Sequence, residues 1–286
     1  MKQILKIISI FILASCQTLG FNQEDPNGPV KLDLNYESFM SESWLNKAET
    51  PLINFNFFGE NIESEMFFDI NGTTVFSVND NQLSLINYDS GEVQKSYELE
   101  TSRIISGVSV GYNTFLYTDA DGVIYAHESG SGDLKWTKAL EDVVLSEILI
   151  TSTNVYVQTS SDVLYGLNLQ NGETQWSKKA QAPLLSIRGT ASPVAFEGLI
   201  FTSFSNGRLA AVREVDGIQL WEKPISRLKG STELEKLMDA DSKAVPINED
   251  VFVANYNGSL TRFNIRGGEK VFSVDHSTLK PIVLHK

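Results

Sequence analysis

The chain has 286 residues, of which 42% are hydrophobic, and its formal net charge is −13. A chain of this length and apolar content can bury a substantial core. The acidic balance argues against nucleic acid as a partner, because binding to a polyanion needs a basic face. The single cysteine, Cys16, allows neither a disulfide framework nor a cysteine-based metal cluster, and the three scattered histidines predict no metal site.

The N-terminus, MKQILKIISIFILASC, is typical of a secretory signal. Two lysines precede the apolar run 7–13, which is too short to span a bilayer as a mature helix. The sequence LASC at 13–16 resembles the bacterial lipobox, which implies cleavage before Cys16 and attachment of acyl chains, palmitate included, to that residue. Gln17 at the next position implies sorting to the outer membrane. The alternative is an ordinary signal peptide with an incidental cysteine.

The composition of the following residues predicts the domain organisation. Residues 1–15 are predicted to be the signal peptide, and the polar, proline-containing segment 16–40 a flexible tether. Residues 41–286 are predicted to form one β-rich domain. Trp44 lies in SESWLNK, which resembles a closing strand without the rest of its repeat.

Five units in this domain share one pattern, as in VYVQTSSDVLYGLNLQNGETQWSK at 155–178. Each has apolar runs, a first turn, a second turn ten residues later, and a closing position four residues beyond that. The first turns contain Asn81, Gly122, Asp162, Gly207 and Gly258. The second turns contain Gly91, Gly132, Gly172, Gly217 and Gly268. The closing positions are Lys95, Trp136, Trp176, Trp221 and Phe272. Such turns accept the positive φ that hairpins of twisted strands require.

The repeat predicts an all-β fold, a β-propeller of four-stranded blades. A sheet that is apolar on both faces must stack on its neighbours, so the closing aromatic is predicted to pack between blades. Residues 40–286 would hold about six repeats of 40–45 residues, yet five are visible. We therefore expect five blades plus partial ones, in a domain that is truncated or open at its C-terminal end.

The connections between repeats lengthen twice in succession, and both extra segments should leave the same face of adjacent blades. The first contains PLLSIRGTASP, with Leu185 and Ile187 beside Arg188. The second contains GSTELEKLMDADSKAVP, a short amphipathic helix pattern followed by Asp239 and Asp241. Two interpretations remain: the arginine and the carboxylates brace the two loops, or the loops form a surface that docks a protein.

At these residues the sequence resembles the BamB family, outer-membrane lipoproteins of the bacterial β-barrel assembly machinery. SIRGTASPVAFEGLIFTSFSNGRLAAV and GSTELEKLMDADSKAVP carry the resemblance, which is strong over 180–272 and weaker over 44–180. It implies an eight-bladed, non-catalytic scaffold, without a cofactor, that binds the periplasmic POTRA domains of the barrel-forming subunit BamA. It also implies that Leu185, Ile187, Arg188, Asp239 and Asp241 form or support that contact. This chain is shorter than the family pattern by two to three blades.

The resemblance places the protein at the outer membrane, lipid-anchored and facing the periplasm, and it makes unfolded outer-membrane proteins a second candidate partner. Two alternatives remain. A quinoprotein dehydrogenase shares the repeat, but the sequence has no vicinal cysteine pair and no evident cluster of acidic and amide ligands for calcium. The second alternative is a different periplasmic propeller that binds a ligand or the cell envelope.

Overall fold

The computed structural model describes residues 67–79, 81–101, 104–181, 191–226, 242–278 and 282–283. All of them belong to one compact unit, Trp44–Lys286. Regular secondary structure in these residues is entirely β-strand, in five four-stranded antiparallel sheets. The predicted all-β architecture is confirmed, with one sheet for each repeat. The predicted signal peptide and tether lie outside the described residues, as do Cys16 and Trp44.

Each sheet is a meander of four strands that are consecutive in the chain. Sheet 1 consists of β1 (Phe67–Asn71), β2 (Thr74–Asn79), β3 (Gln82–Asn87) and β4 (Val93–Glu98). Sheet 2 consists of β5 (Ser109–Gly111), β6 (Thr114–Thr118), β7 (Val123–Glu128) and β8 (Leu134–Ala139). Sheet 3 consists of β9 (Leu149–Ile150), β10 (Asn154–Gln158), β11 (Val163–Asn168) and β12 (Thr174–Lys179). Sheet 4 consists of β13 (Val194–Phe196), β14 (Leu199–Phe204), β15 (Arg208–Arg213) and β16 (Gln219–Pro224). Sheet 5 consists of β17 (Val245–Ile247), β18 (Asp250–Val253), β19 (Ser259–Asn264) and β20 (Lys270–Asp275).

The first strand of each sheet lies innermost. β1 contacts β5, and β5 contacts β9. The backbone N–H of Val110 in β5 donates to Asp69 Oδ2 in β1 at 2.7 Å, and the N–H of Ile148 donates to Ser109 Oγ at 3.1 Å. The fourth strand of each sheet, with its many exposed residues, therefore lies at the outer rim.

The second turn has the same geometry in every sheet. In sheet 3, the N–H of Gly172 donates to the carbonyl of Asn168, and the N–H of Asn168 donates to the carbonyl of Glu173, both at 2.9 Å. All five second-turn glycines have positive φ, between 68° and 83°. Each outer strand then carries a β-bulge one residue before its closing position. The fixed spacing in the sequence thus reflects one hairpin built five times.

In the described residues the core consists of four hydrophobic layers, each shared by two consecutive sheets. Strand β10 shows how side chains that alternate between the two faces of one strand contribute to two layers. Val155 and Val157 pack towards sheet 2, whereas Tyr156 between them packs towards sheet 4, and all three are fully buried. A strand with successive side chains buried on opposite faces reads as a continuous apolar run. The sheets therefore stack face to face, as a propeller requires.

The closing tryptophans join each sheet to the next in a contact that we call the clasp. The indole N–H of Trp136, Trp176 and Trp221 donates to the carbonyl of Leu169, Glu214 and Ile265 respectively, at 2.8–3.1 Å. Each ring also covers the second-turn glycine of the next sheet, where a Cβ atom would lie only 2.6–2.7 Å from the ring. The predicted packing of the aromatic between blades is confirmed, and the glycine is required both by its positive φ and by this close approach.

Candidate docking face

One edge of the stacked sheets collects the first turns and the connections between sheets, and we call this edge the docking face. In every sheet the N–H of the residue that follows the outer strand donates to a first-turn carbonyl at 2.6–3.2 Å. The donor and acceptor pairs are Leu99 and Asn81, Leu140 and Gly122, Ala180 and Asp162, Ile225 and Gly207, and His276 and Gly258. Each connection therefore starts directly beside a first turn.

The connections on this face differ in length. The first two span residues 99–108 and 140–148, and the last two span 180–193 and 225–244. The last two are longer and run from sheet 3 to sheet 4 and from sheet 4 to sheet 5. Each runs from an outermost strand to the innermost strand of the following sheet, which is the topology that the repeat predicted.

The root of the first long connection is held where sheets 3 and 4 meet. Ala180 is buried in the layer between these sheets, and Asn206 Nδ2 donates to the carbonyl of Gln181 at 3.1 Å. Nearby, the backbone N–H of Ser205 donates to Asp162 Oδ1 at 3.1 Å, and Ser205 Oγ donates to Asp162 Oδ2. These bonds join the first turns of the two sheets.

The root of the second long connection is held where sheets 4 and 5 meet. Ile225 before it and Ala244 after it pack in the same hydrophobic layer, so the two ends of the connection lie close together. Ser226 Oγ donates to Asn255 Oδ1 at 2.6 Å, and both residues are buried. Connections on a rigid scaffold frequently carry function.

A cavity of about 230 Å³ lies along the inner strands of the sheets. Ser192 and Pro193, at the end of the first long connection, line it together with Lys243, at the end of the second. Lys243 Nζ lies 3.0 Å from Glu147 Oε2, so this ion pair joins the connection before sheet 5 to the connection before sheet 3. The ends of both long connections therefore meet at one cavity, which supports the expectation that these connections are neighbours.

Two carboxylates on the docking face have opposite pKa shifts. Burial alone would raise the pKa of Asp142, but hydrogen bonds from Ser160 and from backbone N–H groups lower it below its usual value. Burial raises the pKa of Asp162 and outweighs the two bonds from Ser205. Asp162 is therefore a carboxylate whose ionised form disfavours the folded state, because its partners are neutral and it is 2% exposed.

The site residues predicted from the sequence, Leu185, Ile187, Arg188, Asp239 and Asp241, lie outside the described residues, within 182–190 and 227–241. The structure describes the roots of the two segments that carry them. Sequence reasoning missed four residues whose contacts hold the second root or line the cavity: Glu147, Ser226, Lys243 and Asn255. Their contacts join different sheets, and no local pattern marks them.

Among the described residues, no group of three or more His, Cys, Asp or Glu side chains could hold a metal ion. The described part of the chain also contains no helix long and apolar enough to cross a membrane.

The chain matches a protein family over residues 79–286, and that family is described as outer membrane protein assembly factor BamB. Similar proteins include the outer membrane protein assembly factors BamB of Yersinia pestis, 30% identical over 59% of this chain, and of Vibrio cholerae, 31% identical over 49%. BamB of Escherichia coli is 30% identical over 60% of this chain. These matches cover 43%, 36% and 44% of the relatives, so the matched part spans less than half the length of these proteins.

Solved structures show the same fold. The crystal structure of BamB from Moraxella catarrhalis superposes with a TM-score of 0.69 at 23% identity and covers 77% of this chain and 68% of that one. A europium-containing methanol dehydrogenase superposes with a TM-score of 0.57 at 13% identity, over 72% of this chain and 50% of that one. Likeness at these identities shows the β-propeller fold alone. The family match, which covers well over half of the chain, shows that the chain belongs to the family of the outer membrane protein assembly factor BamB.

Proposed function

We propose that this chain is a non-catalytic scaffold subunit of the outer-membrane protein assembly machinery, which aids the insertion of β-barrel proteins. The observation that carries the proposal is the family match over residues 79–286. The curated relatives named above are described as outer membrane protein assembly factors. In this role the stacked sheets are a rigid support, and the connections between them supply the contacts.

The proposed partner is BamA, the barrel-forming subunit, through its periplasmic POTRA domains. The two long connections leave adjacent sheet contacts and end at one cavity, so Leu185, Ile187 and Arg188 on one and Asp239 and Asp241 on the other can contribute to a single surface. Apolar side chains would then supply the desolvated centre of the interface, and the charges would set its register. Unfolded outer-membrane proteins are a second proposed partner.

The proposed location is the periplasmic side of the outer membrane, with lipid on Cys16 as the anchor. The lipobox-like sequence at 13–16 supports it. Several acyl chains at about 0.8 kcal/mol for each buried CH₂ group hold a protein on a membrane almost irreversibly. Metabolic labelling with an alkyne fatty acid tests this, since Cys16→Ala should lose the label while the unaltered protein retains it.

Co-purification of BamA with variants of the chain tests the docking surface. Arg188→Glu and Asp241→Lys should each reduce the recovery of BamA, because both reverse a charge on the proposed surface. The matched controls are Arg266→Glu and Asp89→Lys, which reverse exposed charges in second turns at the opposite edge of the sheets. Undiminished recovery of BamA with Arg188→Glu and Asp241→Lys would show that these two residues are not part of the interface.

The absence of catalysis is part of the proposal and has its own test. The methanol dehydrogenase shares the fold, and its likeness is limited to 13% identity. After incubation with pyrroloquinoline quinone and calcium, we expect the purified protein to show no absorbance from bound quinone. We also expect it to oxidise no alcohol. Stoichiometric quinone binding would overturn the non-catalytic assignment.

A further inference from the structure

The second turn of sheet 4 carries exposed apolar side chains at positions that are mostly polar in the other sheets. Val215, Ile218 and Leu220 lie two residues before, one residue after and three residues after its glycine, and they are 72%, 51% and 48% exposed. The same positions in sheets 1, 2, 3 and 5 hold Asp89, Glu92 and Gln94; Gly130, Asp133 and Lys135; Gln170, Glu173 and Gln175; and Arg266, Glu269 and Val271. Single exposed apolar residues are ordinary, but three at one hairpin end form a patch, which we call the rim patch.

The stacking of the sheets does not explain the rim patch. Trp176 covers Gly217 and donates to the carbonyl of Glu214 at 3.1 Å, so the clasp at this turn is formed as in the neighbouring sheets. Sheet 4 also shares a hydrophobic layer with the sheet on each side of it. Val271 in sheet 5 is a different case, because its whole strand is exposed and no further sheet follows in the described residues. The rim patch is therefore apolar surface that assembly leaves uncovered.

The charged groups of this turn are used within the turn. At the fourth position before the glycine, sheets 1, 3 and 5 have an asparagine whose Oδ1 accepts from backbone N–H groups of the turn. Sheet 4 has Arg213 there, and its Nε donates to Asp216 Oδ1 at 2.8 Å. The same Asp216 Oδ1 accepts from the N–H of Ile218 at 3.1 Å. Because the arginine and the carboxylate pair with each other, the turn presents its apolar side chains to a partner.

The residues beside the rim patch indicate the charge of that partner. At the position of Ile218, the two adjacent sheets have the exposed carboxylates Glu173 and Glu269. Sheets 1 and 2 have Glu92 and Asp133, so this position is acidic in every described sheet except sheet 4. The whole chain has a formal net charge of −13. A second copy of this chain or an anionic lipid surface would therefore be repelled, whereas basic side chains would be attracted.

We propose that the rim patch is a second interaction surface, which binds a protein segment whose apolar side chains are flanked by lysine or arginine. Val215, Ile218 and Leu220 cover the apolar side chains of the segment, and Glu173 pairs with a basic group beside them. Glu269 contributes less, because it shares its turn with the exposed cation Arg266. The surface lies at the second-turn edge, opposite the docking face, so it goes beyond the proposed contact with BamA.

An exchange of residues between sheets tests the rim patch. The triple variant Val215→Gln/Ile218→Glu/Leu220→Gln gives sheet 4 the residues of sheet 3, and unchanged thermal unfolding would show that the fold is retained. The probe is a short fluorescent peptide of alternating leucine and lysine, whose binding to the full-length protein is measured by fluorescence anisotropy. The exchange should weaken binding about tenfold through the lost apolar contact, although the added carboxylate attracts lysine. Glu173→Gln should weaken it about threefold, as expected for an exposed ion pair.

Matched controls separate the rim patch from general stickiness. Leu134→Gln removes an exposed apolar residue of sheet 2, and Glu92→Gln removes the equivalent carboxylate of sheet 1. Neither should change the binding of the leucine–lysine peptide. Peptides of alternating leucine and glutamate, or of serine and lysine, should bind the unaltered protein much more weakly.

Three results would overturn the proposal. The first is binding of the leucine–lysine peptide that the triple variant leaves unchanged, and the second is equal binding of the leucine–glutamate peptide. The third is evidence for another occupant. Self-association in light scattering, or flotation with phosphatidylglycerol vesicles, that the triple variant abolishes would assign the rim patch to a second copy of the chain or to lipid.

Discussion

The two ends of each contact between sheets are built in different ways. At the second-turn end, the clasp recurs with one chemistry in the three contacts that join sheets 2 to 5: an indole covers a glycine and donates to a carbonyl of the next sheet. At the docking face, polar contacts differ from one pair of sheets to the next. Asp142 pairs with Ser160, Asp162 with Ser205, and Ser226 with Asn255. The repeated end serves assembly of the sheets, which leaves the variable end free to acquire a function.

The contact between sheets 1 and 2 shows that the clasp can be rebuilt. Its closing position is Lys95, whose Nζ donates to the carbonyl of Gly130 at 2.7 Å. The ring that covers Gly132 belongs to Tyr97, two residues further along β4, and it also packs with Phe115 at 6.4 Å between ring centroids. The requirement is therefore an aromatic ring over the glycine, and a tryptophan at the closing position is one way to meet it.

The largest effect is expected from removal of a complete clasp. Trp221→Ala deletes a buried ring, its contacts with Phe201 and Phe263, and the bond to Ile265. We expect a loss of about 3–5 kcal/mol in the free energy of unfolding, measured by denaturation in urea. A loss below about 1 kcal/mol would show that the clasp does not hold the sheets together.

The glycine under the ring gives the next largest effect. Gly268→Ala places a Cβ atom 2.7 Å from Trp221 and imposes a φ of +68° on alanine. We expect destabilisation of about 2–4 kcal/mol. Gly198→Ala is the matched control, since its φ is +77° and no atom lies within 4 Å of the added carbon. The difference between the two variants measures the clasp without the backbone strain, and equal effects would contradict the role of close approach.

Tyr97→Ala should have a smaller effect than Trp221→Ala, because Tyr97 is only half-buried. We expect a loss of about 2 kcal/mol in the free energy of unfolding. Lys95→Ala, which removes an exposed side chain, should cost less than about 1 kcal/mol. A larger effect of Lys95→Ala than of Tyr97→Ala would show that the closing position, rather than the ring, defines the clasp.

The smallest effect is expected at the docking face, from Asp162→Asn. The pKa of Asp162 is raised in the folded state, so its contribution to stability is most favourable below the unfolded-state pKa and is lost as pH rises through the folded-state pKa. At pH 7 the asparagine variant should therefore be more stable by up to about 1 kcal/mol, with its positive φ still tolerated. Thermal unfolding at pH 7 and below pH 4 measures this, and a gain that persists in acid would contradict the assigned cause.

The sequence alone determined the repeated part of this protein. Ten-residue spacing of turns, glycines with positive φ and a closing aromatic are local features, so they predicted five four-stranded sheets and the packing of tryptophan between them. The family resemblance was likewise visible in SIRGTASPVAFEGLIFTSFSNGRLAAV, and the match over 79–286 confirmed it. The assignment of Arg188, Asp239 and Asp241 to an interface stays a prediction.

Tertiary structure decided what lies between repeats. Tyr97 replaces tryptophan over Gly132 because a neighbouring sheet brings that glycine beneath it, 35 positions away in the chain. The Ser226–Asn255 bond and the Glu147–Lys243 ion pair depend in the same way on which sheets meet. Spacing reveals contacts within a hairpin because the chain itself sets their distance. Contacts between sheets depend on stacking, which brings together residues whose separation follows no period.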